Sequence, residues 1–290
     1  MPHRPEPPRR TINDIVTVSD RWLHYIPRAG DIVVSTPPKS GTTWTQAILA
    51  MLIAGDPEAV GNTAAVAPWI DSRFRDINDL MTMLEAQFCR RQIKTHTGFD
   101  AIPYWPHVRY ITVYRHPIDV HFSFRDHVAN MTPDFFDPFY PDDISQGFHI
   151  FLDGDHFDAV SLDMILTHYR ETLSKEPRSN LLRLHYADML RDPLATVTRI
   201  ADFCGFDFPK QTLDAVAKAT DFENMRANAQ KFVPGSGKGL WRNEAGFFKA
   251  AGRRRWQDKL TKADLAAYND RMEETLSIEQ RRWLEHGSQL

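Results

Sequence analysis

The stretch that most constrains this chain is Asp31-Ile-Val-Val-Ser-Thr-Pro-Pro-Lys-Ser-Gly-Thr-Thr-Trp44. Ile32, Val33 and Val34 form a short β-branched run suited to a buried strand. Pro37 and Pro38 end the ladder, because proline has no N–H to donate. Trp44 to Ala54 then has the length and composition of a helix. Strand, tight turn and helix start in that order aim several backbone N–H groups and the positive end of a helix at one point, where an anion is favoured. Gly41 allows close backbone approach, Lys39 adds a full charge, and Ser40, Thr42 and Thr43 add hydroxyl donors. The loop is not that of the nucleoside triphosphatases, G-x-x-x-x-G-K-[ST], whose lysine follows the second glycine. Here Lys39 precedes the glycine.

A chain of 290 residues can bury a substantial core. Its 42% hydrophobic and 25% charged content is ordinary for a soluble globular protein. The formal net charge of −3 argues against a nucleic-acid partner held by a global basic field. Cys89 and Cys204 alone cannot build a disulfide scaffold, and a reducing, cytoplasmic setting is the simplest one. Neither Cys-x-x-Cys nor His-Glu-x-x-His occurs, so no metal is expected. The basic N-terminus lacks the apolar stretch of a signal peptide, and the longest apolar run, Ala47 to Ala54, is too short to span a bilayer. The expected organisation is a loose arm over residues 1–15 and one α/β domain over residues 16–290, without a membrane partner.

Gly55 to Arg75 reads as loop, with Pro68-Trp-Ile-Asp71 embedded in it, and Asp79 to Arg90 as helix. Gln92 to His96 and Val108 to Tyr114 are strand candidates. Arg115-His-Pro117 stops the second of these and starts a helix that runs to about Asn130. After Met131 to Tyr140, helical material resumes to about Leu173, and Asn180 to His185 is a further strand. Helices follow over Pro193 to Cys204 and Lys210 to Thr220, then an irregular segment from Asp221 to Trp241. One long amphipathic helix over Thr261 to Glu285 carries Leu265, Tyr268, Met272 and Leu276 on one face. Strands alternating with helices favour a parallel sheet whose ligands sit at the carboxyl ends of the strands. Lys39, His96, Arg115 and Tyr186 each follow one of the four strands, so four strand ends converge on one site.

In its strand–turn–helix setting, Pro38-Lys-Ser-Gly-Thr-Thr-Trp44 resembles the phosphosulfate-binding loop of the cytosolic-type sulfotransferases. Lys94-Thr-His96 is similar to the Lys-Thr-His at the end of that family's second strand. The resemblance spans about residues 20 to 285. It implies a P-loop-like central parallel sheet of about four to five strands with helices on both faces. It also implies transfer of a sulfuryl group from 3′-phosphoadenosine 5′-phosphosulfate to a small acceptor, without a metal. By the same resemblance His96 is the general base, Lys39 and Lys94 steady the sulfate, and Ser40, Gly41, Thr42 and Thr43 complete the loop. Arg115 and Ser123 hold the 3′-phosphate, with Ser123 beside the reacting groups; Tyr186 touches the nucleotide. Trp44 and the Thr220-x-Phe222-x-x-Met225 segment enclose the adenine. The family's Arg-Lys-Gly element has two placements, at Gly237 to Asn243 or at Phe247 to Thr261, and the second fits better. It puts Lys249 in the arginine position, Ala250 in place of the lysine, and Gly252 and Arg253 about one residue out of step. Arg253 to Arg255 read otherwise as a solvated charge run.

The residue types suit that chemistry. By analogy with phosphoryl transfer, positioning and charge stabilisation should supply most of the catalysis. Histidine titrates near neutrality, so a neutral imidazole can take a hydroxyl proton. Residues two apart on a strand share a face, which points Lys94 and His96 the same way. Arginine offers a planar donor fork to a phosphate, although Arg115 could equally pair with Asp119. Trp69, Phe74, Phe99, Tyr104, Phe136, Phe139, Tyr140 and Phe148 are candidates to line the acceptor pocket, which suggests an apolar or aromatic alcohol, phenol or amine. Two alternatives stand beside this reading: a small-molecule or nucleotide kinase on the same fold, and a non-catalytic nucleotide-binding protein. The family's C-terminal dimerisation pattern is not found, which leaves both a monomer and a homodimer open.

Overall fold

Four parallel strands organise the computed structural model, which describes residues 4–132, 141–154, 160–248 and 256–288. They are β1 (Ile32–Ser35), β2 (Gln92–Thr95), β3 (Arg109–Tyr114) and β4 (Leu181–His185), in the spatial order β2-β1-β3-β4. The register pairs Val34 with Lys94 and with Ile111, and Val113 with Leu184. The chain leaves β1 to one side for β2, then crosses to the other side for β3. The switch point therefore lies between the carboxyl ends of β1 and β3, where such sheets hold their ligands.

β1 is central and covered on both faces, and so reads as a continuous apolar run. Ile32 and Val34 pack with Ile111 and Val113 under α1 (Thr42–Ala54) and the helices Pro193–Cys204 and Lys210–Ala219. Val33 faces the opposite side with Ile93, Tyr110, Trp22 and Phe99. Farther along that side Tyr114 joins Phe148, Phe151, Ile165 and Tyr268. Helices on both faces match the expected architecture, and burying each aliphatic side chain of β1 contributes about 1.5–3 kcal/mol. The short helix α2 (Thr63–Val66) and α3 (Ile77–Glu85) follow α1, and α4 (Pro117–Ala129) follows β3. Pro117 occupies the first turn of α4, where its missing N–H costs nothing.

Several boundaries differ from the sequence expectation. The long C-terminal helix is two, Lys262–Thr275 and Ile278–His286. Leu276 is extended, and Ser277 with Gln280 forms a capping box that starts the second. Asp221 to Trp241 is not wholly irregular: Asp221 caps Phe222–Ala227, its carboxylate accepting from the Asn224 N–H at 2.7 Å, and Ala229–Phe232 follows. The first described residues are not loose. Glu6 and Tyr104 exchange backbone hydrogen bonds at 2.8 and 3.0 Å, Lys175 meets Glu6 at 2.8 Å, and Arg10 meets Glu171 at 2.8 Å. Tyr104, Glu171 and Lys175, which hold Glu6 and Arg10, lie more than 90 residues away from them in sequence, so no local pattern shows these contacts. Pro68-Trp-Ile70 pairs along the outer edge of β2, with Lys94 N–H donating to Pro68 O at 2.8 Å.

At the amino end of β1, Asp31 is almost wholly buried and accepts from Arg91 Nε at 2.9 Å, from a second Arg91 nitrogen and from the Tyr25 hydroxyl. Asp31→Ala would leave the Arg91 guanidinium buried without its counter-charge. We expect a loss of about 3–5 kcal/mol, read from the midpoint of equilibrium urea unfolding.

Candidate active site

The turn after β1 is unusual at two residues. Lys39 has φ 63°, a left-handed conformation that costs a non-glycine residue about 1–3 kcal/mol. Gly41 has φ 120° at the start of α1, and a Cβ there would stand 3.2 Å from the Tyr186 ring and 3.4 Å from Val113. Only glycine lets the loop lie this close to β3 and to the residue after β4. Arg115, at the end of β3, donates to the Lys39 carbonyl at 3.4 Å and lies 4.5 Å over the Tyr186 ring, holding the turn from the other side.

These strand ends open into one cleft of about 590 Å³. Lys39, Gly41, Thr42, Thr43, Trp44, Lys94, His96, Arg115, Ser123, Tyr186, Thr220, Phe222 and Met225 all line it, so the sheet brings these sequence-selected residues together. Ser40 does not line it; its hydroxyl is fully buried and has no hydrogen-bond partner among the described residues. Lys249, Gly252 and Arg253 lie outside the described residues, as do Phe136, Phe139 and Tyr140. Of the aromatics expected around an acceptor, Trp69 and Phe74 line the cleft. Phe99, Tyr104 and Phe148 do not: they are 1%, 1% and 0% exposed and belong to the core packed against the sheet.

His96 follows β2, and its Nδ1 lies 2.8 Å from the Thr36 carbonyl. A carbonyl only accepts, so the proton sits on Nδ1 and Nε2 is left as an acceptor. Trp69 packs edge-on against this ring at 4.8 Å and takes the Lys94 ammonium over its face at 4.3 Å. Beneath them Asp71 is completely buried and accepts from the Trp22 indole at 3.0 Å, from Thr95 at 2.5 Å and from Thr97 at 2.7 Å. It thus tethers the residues on either side of His96. Burial pushes the Asp71 carboxyl above its ordinary range.

Lys39, Lys94 and Arg115 share the cleft, and the neutral forms of the two lysines are favoured accordingly. Burial, with Arg115 and Lys94 nearby, brings the Lys39 ammonium down to about 7. Burial brings Lys94 down to about 8, with Asp71 opposing. An anion placed among them would restore both charges. His127, on α4 one turn beyond Ser123, also lines the cleft, with Nδ1 2.9 Å from the Lys39 ammonium. Sequence reasoning missed it, though its i+4 spacing from Ser123 was a readable signal. Trp241 and Phe247, 4.8 and 5.4 Å from the His127 ring, complete this wall. The glycine-rich stretch before them lines the cleft through Gly235 and Lys238.

A parallel sheet whose first strand feeds an anion-ready loop, with lysines and a tautomer-fixed histidine on adjoining elements, is the layout of a group-transfer enzyme acting on an anionic substrate. The family model described as the sulfotransferase domain matches residues 29–279, and the chain belongs to that family: it is a sulfotransferase. A glycolipid sulfotransferase of Mycobacterium bovis (strain BCG / Pasteur 1173P2) is 27% identical over 298 residues, covering 92% of this chain and 91% of the relative. Mouse sulfotransferase SULT7A1, solved with PAP, superposes with a TM-score of 0.74 at 22% identity, over 93% of this chain and 94% of its own. Retinol dehydratase, solved with retinol and PAP, gives 0.71 at 20%, over 88% and 85%. These two structures establish the shared fold.

Burial holds His96 and His127 well below the usual histidine range and brings His168, bonded to Tyr114 and Ser35 away from the cleft wall, down to about 3. The unfolded chain, with histidines near 6.5, binds more protons than the native one in acid. The stability these groups contribute is therefore complete above about pH 6.5 and is lost as the pH falls, with a slope approaching about 1.4 kcal/mol per pH unit for each. Urea midpoints that drop from pH 7.5 to pH 5.5 are the expected result; flat midpoints would contradict it.

Proposed function

We propose that this sulfotransferase moves a sulfuryl group from 3′-phosphoadenosine 5′-phosphosulfate to the hydroxyl of a small, largely apolar acceptor, with His96 as the base. The observation that carries the reading is the His96 ring: its Nδ1–H is committed to Thr36 O, so Nε2 faces the task of accepting a proton while burial keeps the ring neutral.

The cleft suits such a donor. Ser40 carries a buried, unpartnered hydroxyl behind the loop, and Gly41 leaves a cradle that a Cβ would fill. Among the described residues neither Lys39 nor Lys94 has a carboxylate in ion-pair distance, so both ammonium groups remain available to an anion. The loop from Lys39 to Thr43 and the start of α1 would hold the 5′-phosphosulfate, Arg115 and Ser123 the 3′-phosphate. Trp44, 5.8 Å edge-on from Tyr186, would flank the base with Phe222 and Met225. Thr220 contributes shape rather than its hydroxyl, which donates to Val216 O at 2.8 Å. Lys249, Gly252 and Arg253 are the proposed further contacts to the 3′-phosphate. The donor supplies the sulfuryl unit and departs as the 3′,5′-bisphosphate. His96 takes the acceptor's proton as the new oxygen–sulfur bond forms, and Lys39 and Lys94 offset the negative charge on the transferring and departing oxygens. No metal has a part in this scheme.

Trp69, Phe74, Phe124, Trp241 and Phe247 give the rest of the cleft an apolar, aromatic wall. A glycolipid as acceptor of the mycobacterial relative, and retinol beside PAP in the dehydratase, accord with an apolar molecule that bears a hydroxyl.

Calorimetric titration with 3′-phosphoadenosine 5′-phosphate, beside ATP with magnesium, tests the donor. Preference for the bisphosphate is expected, and preference for magnesium-ATP would replace this reading with a kinase. Because Lys39 and Lys94 lie near 7 and 8 before the anion arrives, restoring both charges on binding at pH 8 should take up between one and two protons, seen as a heat that varies with buffer ionisation enthalpy. His96→Ala should keep nucleotide affinity and lose about 10²–10⁴-fold in turnover toward phenols and alcohols; retained turnover would remove His96 as base.

A further inference from the structure

His127 has no place in the scheme above, yet it touches the loop lysine. In its charged form Lys39 can only donate, so at 2.9 Å the neutral His127 Nδ1 then accepts and the ring proton sits on Nε2. This is the reverse of His96, whose Nδ1 carries the proton. The same ammonium lies 4.5 Å over the Phe247 ring. Lysine is a flexible chain whose ordering costs up to about 2 kcal/mol of rotamer entropy, and a fixed acceptor removes that cost before the substrate arrives.

The choice of a neutral acceptor matters. A carboxylate here would pair strongly with Lys39 and repel the anionic donor. A neutral imidazole orients the ammonium but yields it to an anionic oxygen at little cost. The groups facing Lys39 are Lys94 and His96 at the end of β2, Arg115 at the end of β3, and Asp126 with His127 on α4, while Trp241 and Phe247 close the other side. Lys39, Lys94 and His96 are positive or donor-bearing neighbours, and with burial they keep His127 neutral, as the contact requires.

We propose that His127 is a positioning residue that holds the loop lysine, through Nδ1, in the orientation and charge state from which it is passed to the sulfate-bearing substrate. The inference rests on reading Lys39 as the sulfate-contacting lysine. It assigns α4 a double part, Ser123 toward the nucleotide and His127 toward the lysine one turn on.

The test compares His127→Phe, which keeps a ring and removes the acceptor, with His127→Gln, which returns an acceptor oxygen. With 3′-phosphoadenosine 5′-phosphosulfate and a phenol, the Phe variant should lose about tenfold or more in kcat, while affinity for 3′-phosphoadenosine 5′-phosphate changes by less than about threefold. Losing the acceptor destabilises the charged lysine. The alkaline limb of kcat/KM for the donor, and the Lys39 side-chain resonance in NMR titration of the free protein, should therefore both move to lower pH. Gln should reverse much of each change, which a purely structural role would not produce. Wild-type kcat and an unmoved Lys39 titration in His127→Phe would overturn the proposal. If the Phe variant does not fold, His127→Leu against His127→Gln decides by the same readouts. Lys39→Ala separates the levels: if it turns over normally, the underlying reading of Lys39 fails; if it is inactive while His127→Phe is unaffected, only the positioning role fails.

Discussion

The close approach of the loop after β1 to the ends of β3 and β4 is the constraint from which the site follows. Gly41, at φ 120°, lies against Val113 and Tyr186 where a methyl group would be tight, and Lys39 adopts a left-handed backbone beside it. Arg115 secures the turn through the Lys39 carbonyl while it stacks on Tyr186. Local strain of about 1–3 kcal/mol persists because the surrounding strands over-determine the turn.

That geometry crowds positive groups together. Lys39, Lys94 and Arg115 share one cleft, and among the described residues Lys39 is answered by a histidine and an aromatic ring, Lys94 by the face of Trp69. The protein keeps this unfavourable arrangement tolerable by lowering both lysines toward neutrality and by keeping His96 and His127 uncharged. A polyanion placed among the two lysines would favour their charged forms. A core built to other ends supports the arrangement: Asp71 and its three donors fix the residues flanking His96 from below the sheet.

Much of this was legible in the chain. The β-branched run at 32–34, the Pro-Pro stop and Lys-Ser-Gly-Thr-Thr identify the loop, and alternating strands and helices identify the parallel sheet. Elsewhere local pattern underdetermines tertiary context. The apolar stripe over 261–285 reads as one helix, whereas the Ser277–Gln280 capping box divides it. Phe99, Tyr104 and Phe148 are aromatics in sequence terms equivalent to Trp69 and Phe74, but whether an aromatic meets the core or a cleft depends on the face its segment presents. The N-terminal segment looks unstructured because its partners, Tyr104, Glu171 and Lys175, are remote in sequence.

By itself the sequence determined what short-range chemistry can encode: which residues form the anion loop, which lysine and histidine share a strand face, and where strands and helices alternate. Tertiary structure alone decided which nitrogen of His96 is left to accept a proton, because Thr36 arrives from another strand end. It alone decided that His127 meets Lys39, 88 residues away, because β3, which leads into α4, pairs with β1, which leads into the loop. Hydrogen-bond partners and charge states depend on distances of a few ångströms between segments brought together only by burial of the sheet, and no local pattern carries that information.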